Sequence, residues 1–217
     1  MPPQATKVDL RKARGADTRT QILDAARAAL AEDGYARATM RGIADRAGVQ
    51  LSLVHYHYGG RQALLAAVLD RENERLLERQ RALYGGPEPL AEKWRTACAY
   101  LGEDLRSGYV RILWELWAVG LGDEELAARW RDAIAGWREP LTRVAEAWST
   151  ELEVELPLPP RALATLVANA FQGAEAEILA GVTEAEAPHL EALESCAKLI
   201  EWAERRSRDD AGRENQT

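Results

Sequence analysis

Only two of the 217 residues are cysteines, and neither Cys98 nor Cys196 belongs to a CxxC pair or a Cys/His cluster. A zinc site and a disulfide framework therefore lack support, and two reduced, partly buried thiols are expected. Phenylalanine occurs once and histidine three times. No apolar run approaches the roughly 18 residues that a membrane span needs. The opening, MPPQATKVDLRKARGADTR, is polar and lacks the apolar core of a secretion signal. A cytoplasmic chain without membrane association is expected. Strand-like alternation of β-branched residues is also missing. So are the glycine-rich phosphate loop, HExxH and GxSxG, and the many carboxylates are scattered along the chain. The expectation is a protein that is not an enzyme, with no metal and no cofactor.

What is present is helical periodicity and an uneven charge. The formal net charge is −7. Residues 1–61 nevertheless carry ten Lys/Arg against six Asp/Glu, while residues 62–217 carry 18 against 29. A basic head on an acidic body suits a chain whose head alone meets a polyanion.

About nine helices are expected in an all-α fold. Thr18 with Gln21 has the form of a capping box, followed by an apolar face of Ile22, Ala26, Ala29 and Leu30. Gly34 suits the stop after Asp33. Thr39 caps a short second helix that Gly48 ends. A third short helix spans about 50–57, and a long fourth follows Gly60 to about Leu83. The break GGPEP at 85–89 precedes apparent helices near 88–105, 109–119, 123–150, 160–180 and 184–206. Pro140 is expected to kink the 123–150 segment without breaking it, because Gly136 four residues earlier leaves room. Thr183 with Glu186 makes a second capping box. Four segments follow: a flexible basic arm over 1–16, a small helical head over 17–62, a helical body over 63–206, and a disordered tail over 207–217.

The stretch TMRGIADRAGVQLSLVHYHY, residues 39–58, holds two of the three histidines. A short helix, a glycine turn and a second short helix make a helix-turn-helix. Ala44 is small where the helices cross, and Ile43, Ala47, Val49 and Val54 point inward. The outer positions are Gln50, Leu51, Ser52, His55 and Tyr56, on a helix that can enter a major groove. Glutamine pairs with an adenine edge, serine with bases or phosphate, and histidine or tyrosine with phosphate oxygens. Leu51 or Leu53 suits a thymine methyl. Arg41, Arg46 and Arg61 flank the cluster as cations. Tyr58 is expected in the core of the head. The arm residues Lys7, Arg11, Lys12 and Arg14 either follow the DNA or are merely solvated. A metal site from His55 and His57 is not expected, because residues two apart on a helix diverge.

From Thr18 to Leu69 the chain resembles the N-terminal domain of the tetracycline-repressor (TetR) family of bacterial regulators. The matching pieces are TRTQILDAARAALAEDGYARATMRGIADRAGV and LVHYHYGGRQALLAAVL. The resemblance implies that Thr39 caps the second helix and touches phosphate, that Gln50 to Tyr56 form the recognition helix, and that Arg61 binds phosphate. His55, Ser52, Tyr58 and Gly60 depart from the usual residues at their positions. The resemblance also implies a homodimer, double-stranded palindromic operator DNA as partner, and a small-molecule effector held in the helical body.

All seven tryptophans lie beyond residue 90. Trp130, Ile134, Trp137, Leu141, Val144 and Trp148 fall on one helical stripe. Trp114, Trp117, Trp137, Phe171 and Tyr100 are candidate walls for a flat apolar, aromatic or cationic effector, with Gln172 or Glu175 orienting its polar end. The last two helices carry apolar stripes at Leu163, Val167, Ala170, Ala174 and Ile178, and at Leu190, Leu193, Ala197 and Ile200; Gly173 permits close approach. The resemblance implies that these helices pair with their copies across a two-fold axis. The alternative readings are a helical carrier or interaction protein without DNA, and an activator in place of a repressor.

Overall fold

The computed structural model describes the backbone of residues 7–152 and 158–214, with side chains within 15–151 and 158–206. Among these residues there are nine α-helices and no strand. They are α1 (Lys7–Asp33), α2 (Met40–Ala47), α3 (Leu51–Tyr58), α4 (Arg61–Gly85), α5 (Leu90–Arg106), α6 (Tyr109–Gly120), α7 (Glu124–Leu152), α8 (Pro160–Leu179) and α9 (His189–Glu214). The side chains of Lys7, Arg11, Lys12 and Arg14 lie outside the described residues, as do residues 153–157 and the last three residues.

The chain divides into two compact units. The first runs to Glu72 and takes in Arg111–Arg129; the second comprises Asn73–Val110 and the chain from Trp130 onward. The sequence boundary at 62/63 therefore moves. The first ten residues after it, and the stretch 111–129, belong with the head. The reason is chemical: α6 supplies polar side chains to the α1–α2 turn, and Asp70 on α4 pairs with Arg129 on α7.

In the first unit, α2 packs on both α1 and α3. Ile22, Ala26, Ala29 and Leu30 line the inner face of α1 and are all buried, as the spacing predicts. Ile43, Val54 and Leu64 complete this core and are fully buried. Each such side chain contributes roughly 1.5–3 kcal/mol when removed from water. Thr39 caps α2, its Oγ1 accepting the Gly42 N–H at 3.1 Å. Gly48 closes α2 in the left-handed region. Tyr58 is buried and donates its hydroxyl to the Arg19 carbonyl at 2.8 Å. Burial pushes the Tyr58 phenol above its usual range, with Arg19 and Arg71 pulling it back.

Two expectations at the N-terminus change. Lys7 to Ala16 is not an arm but the first part of α1. Thr18 and Gln21 consequently sit inside a helix, where no free N-terminal amides remain for a capping box to satisfy. The interruption at Gly15 is tolerated, since one glycine costs a helix only about 1 kcal/mol.

In the second unit, α5 and α8 both pack on α9. Trp94 on α5 donates its indole N–H to the Leu193 carbonyl on α9 at 2.6 Å. Helix α7 runs unbroken through Pro140. Gly136, four residues earlier, offers no Cβ to the ring, and a Cβ there would lie 3.1 Å from Leu77.

The last helix begins at His189, not at 184. Thr183 and Glu186 form one half of a capping box: the Thr183 N–H donates to Glu186 Oε2 at 2.9 Å, but the hydroxyl donates to the same oxygen at 2.8 Å, and the Glu186 N–H goes to the Thr183 carbonyl. The two bonds from Thr183 hold Glu186 below the usual carboxylate range. Only one turn forms, however, because Pro188 disfavours helical geometry at Ala187. The helix starts afresh after the proline, with the Ala192 N–H reaching the Pro188 carbonyl at 2.8 Å. At its other end α9 continues to Glu214, so most of the expected disordered tail is helical.

Candidate nucleic-acid interface

Helix α3 begins at Leu51 and ends at Tyr58, with Gln50 as an extended N-cap residue that makes no side-chain capping bond. The Gln50 amide is thus not committed to the helix end. Val54 and Tyr58 anchor the inner face. Gln50, Ser52, Leu53, His55 and Tyr56 are exposed, and Leu51 is half-buried. Tyr56 is 82% exposed, a large aromatic left standing in solvent. Its ring meets the His57 ring edge-on at 5.2 Å. His55 folds back along the helix, its Nδ1–H donating to the Gly59 carbonyl at 3.0 Å. This leaves Nε2 as the edge that faces outward chemistry.

The flanking cations divide into three kinds. Arg41 is exposed on α2 without a carboxylate partner among the described residues. Arg46 instead pairs with Glu32 at 2.6 Å and Asp33 at 3.2 Å, tying α2 to the end of α1. Arg61 stands at the first position of α4, but its guanidinium turns inward. Its Nε donates to the Ala38 carbonyl at 2.9 Å, a terminal nitrogen donates to the Tyr35 carbonyl, and the group stacks 4.0 Å from the Tyr35 ring centroid. A phosphate contact from Arg61 has to come from its remaining N–H groups.

The aromatic residues read as effector walls fall in two units. Trp114 and Trp117 make an edge-to-face pair at 5.2 Å in the first unit. In the second, Phe171 is met edge-on by Trp137 at 5.9 Å and by Trp94 at 5.6 Å. Sequence reasoning misses Trp94 as a member of this cluster; only its contact across helices marks it. Tyr100 lies beneath the Arg79 guanidinium, 4.2 Å from its ring centroid, while Arg79 pairs with Asp104. Gln172 carries a buried Nε2 with no hydrogen-bond partner, next in sequence to Phe171. Glu175 is half-buried and is engaged in an interaction of its own. Among the described residues there is no cluster of metal-ligating side chains, and no helix is long and apolar enough to cross a membrane.

The stripes read as a subunit interface also divide. Leu193, Ala197 and Ala174 are buried within the chain, and Leu163, Val167, Leu190 and Ile200 are half-buried. The cause is the packing of α5 and α8 on α9, which takes up one apolar side of α9. Ala170 and Gly173 lie on the other side of α8 or at its edge, and both are exposed. The large apolar side chains left in solvent are others: Leu166 on α8 at 55%, and Leu199 and Trp202 on α9 at 66% and 55%.

A short α2, a left-handed glycine turn and an α3 with an exposed polar-aromatic face define a helix-turn-helix protein. Residues 22–68 match the model of the bacterial regulatory proteins of the tetR family. Over these residues the chain is similar to that family. It is 34% identical over 64 residues to the HTH-type transcriptional regulator UidR of Escherichia coli, covering 30% of this chain and 33% of that protein. It is 36% identical over 63 residues to the HTH-type transcriptional regulator TtgR of Pseudomonas putida, covering 29% and 30%. The chain thus spans about a third of the length of the curated relatives it matches. The fold likeness extends further. A TetR transcription regulator from Haloarcula marismortui superposes with a TM-score of 0.72 at 24% identity, over 85% of this chain and 96% of that one. The regulator FadR from Bacillus subtilis, solved with stearoyl-CoA, superposes with a TM-score of 0.68 at 16% identity, over 83% and 96%.

Proposed function

We propose that this chain is a ligand-responsive, DNA-binding transcriptional regulator acting as a homodimer. It represses from a palindromic operator and is released by a small apolar, aromatic or cationic effector. The observation that carries the reading is the outer face of α2 and α3, where Arg41, Gln50, Ser52 and Tyr56 are exposed while Ile43, Val54 and Tyr58 hold the helices from within. A face of uncharged readers beside an exposed arginine suits base edges bordered by phosphates. Two heads on one duplex require a dimer with major grooves roughly 34–36 Å apart. The exposed Leu166, Leu199 and Trp202 support α8 and α9 as its interface. A body that holds a ligand is supported by the Trp94–Phe171–Trp137 cluster and the unpartnered amide of Gln172.

Selection from a library of random duplexes, followed by gel shift across a salt series, tests the reading. A palindromic consensus whose binding weakens steeply with salt is expected. Failure to enrich any sequence would favour a helical carrier without DNA function. On the selected duplex, Arg41→Ala is expected to weaken all sequences alike and to reduce the salt slope by about one. Gln50→Ala is expected to relax preference at one base step, by about 1–3 kcal/mol. The double variant Leu199→Glu with Trp202→Glu is expected to elute as a monomer in light-scattering chromatography, because burying two carboxylates at an apolar interface without partners is prohibitive.

A further inference from the structure

The turn between α1 and α2 is five residues long, from Gly34 to Ala38, and hands the chain directly to Thr39. Side chains far away in sequence meet its backbone on two sides. The Tyr35 N–H donates to Glu115 Oε2 on α6, and Arg111 on α6 reaches the Ala31 carbonyl at 3.4 Å. Arg111 Nε also holds Glu115 Oε1 at 3.0 Å, which fixes the carboxylate in place. Arg61 on α4 takes the Tyr35 and Ala38 carbonyls and stacks on the Tyr35 ring. Within the turn, the Arg37 and Ala38 N–H groups return to the Gly34 carbonyl, and the Thr39 N–H to that of Arg37 at 2.8 Å. Gly34 has φ +79°, and a Cβ on it would sit 2.8 Å from both Arg111 and Glu115. Glycine here admits the backbone twist and the close approach of α6 together.

We infer that Glu115, held by Arg111, and Arg61 are positioning residues that latch the α1–α2 turn and so fix Thr39 and the reading face behind it. The inference rests on the proposed DNA binding and says how α6 governs it. The latch reverses two simple electrostatic expectations. Removing an acidic side chain from a DNA-binding head raises affinity by charge alone. Removing Glu115 instead lowers it, because the Tyr35 N–H loses its acceptor and the turn loosens. Removing a phosphate-contacting arginine lowers the salt slope by about one. Removing Arg61 lowers affinity with the slope unchanged.

The test pairs operator binding with hydrogen exchange in the full-length protein. In Glu115→Ala, the amides of residues 34–38 are expected to exchange about tenfold faster or more, and affinity for the selected duplex to fall by about tenfold or more, since a bond to a charged acceptor is lost. Glu115→Gln, whose amide oxygen still accepts from Tyr35, is expected to recover most of both losses. Unchanged or increased affinity in Glu115→Ala overturns the inference. So does an affinity loss without faster exchange, or a reduced salt slope in Arg61→Ala. The exchange arm reads the latch even if no duplex is selected, so failure of the latch and failure of DNA binding remain distinguishable.

Discussion

Ile43→Ala is expected to unfold the head near temperatures at which the wild type remains intact. Ile43 is fully buried in α2. Its helix is only eight residues long, too short to persist without tertiary packing. Truncation removes three heavy atoms from a core that Ile22, Leu30, Val54 and Leu64 share, and the neighbours relax only in part. The cost is about 2–5 kcal/mol. For a unit of this size each kcal/mol lowers the midpoint by about 4–8 °C. A low-temperature transition is therefore expected in calorimetry, with DNA binding lost across it. Ile43→Val, which deletes a single methylene, is expected to cost about 0.5–1.5 kcal/mol and to keep binding. A midpoint for Ile43→Ala within the range of Ile43→Val would show that the head draws its stability from elsewhere.

The second large effect is expected at Glu72. This carboxylate on α4 is 6% exposed and receives Arg27 Nε from α1 at 2.8 Å, with Arg71 Nε at 3.6 Å. Arg71 is also held by Asp24 at 2.6 Å and by the Leu23 carbonyl at 3.4 Å. The group ties the long helix α4 to α1 through charge in a place of little water. Taking one member out of a buried pair costs about 3–5 kcal/mol, because the remaining charge stays desolvated. Arg71 keeps Asp24, and Arg27 retains 26% side-chain exposure, so Glu72→Ala is expected at or below the lower end, about 2–3 kcal/mol. Arg27→Met is expected to destabilise by a similar amount. The double variant Glu72→Met with Arg27→Met is expected to recover part of the loss, since no charge is then stranded. Chemical denaturation of the wild type, both single variants and the double gives the coupling directly. Strict additivity would mean that the two side chains do not share one interaction.

How much of this was legible in the sequence follows from the range of each signal. The helix-turn-helix was written in short-range chemistry. Thr39 caps three residues ahead, Gly48 takes the left-handed conformation, and Ile43, Ala44, Ala47 and Val54 are buried where the spacing put them. Signals that depend on what lies upstream or downstream failed. A capping box at Thr18 means nothing once α1 has already begun at Lys7, and the one at Thr183 stops at Pro188. The resemblance assigns Arg61 to phosphate, and no local pattern announces the bonds it also makes to carbonyls more than twenty residues away. Glu115 has no local signal at all; only the folded chain brings it to Tyr35. On α9, periodicity marks apolar positions without saying which side neighbouring helices will claim. Packing on α5 and α8 takes Leu193 and Ala197, and leaves Leu199 and Trp202 outside.

The two thiols noted at the outset sit in unequal surroundings. Cys98 is buried, and desolvation, with Glu194 and Cys196 adding to it, pushes its thiol up to about 12. Cys196 on α9 is half-buried. A maleimide needs a thiol it can reach, so buried Cys98 is expected to stay unlabelled and half-buried Cys196 to take the label. The native chain therefore accepts a single fluorophore, on the helix proposed to meet its copy, without any cysteine having to be engineered in or out. Self-quenching or energy transfer between two such dyes would follow the distance between copies as DNA or effector is added.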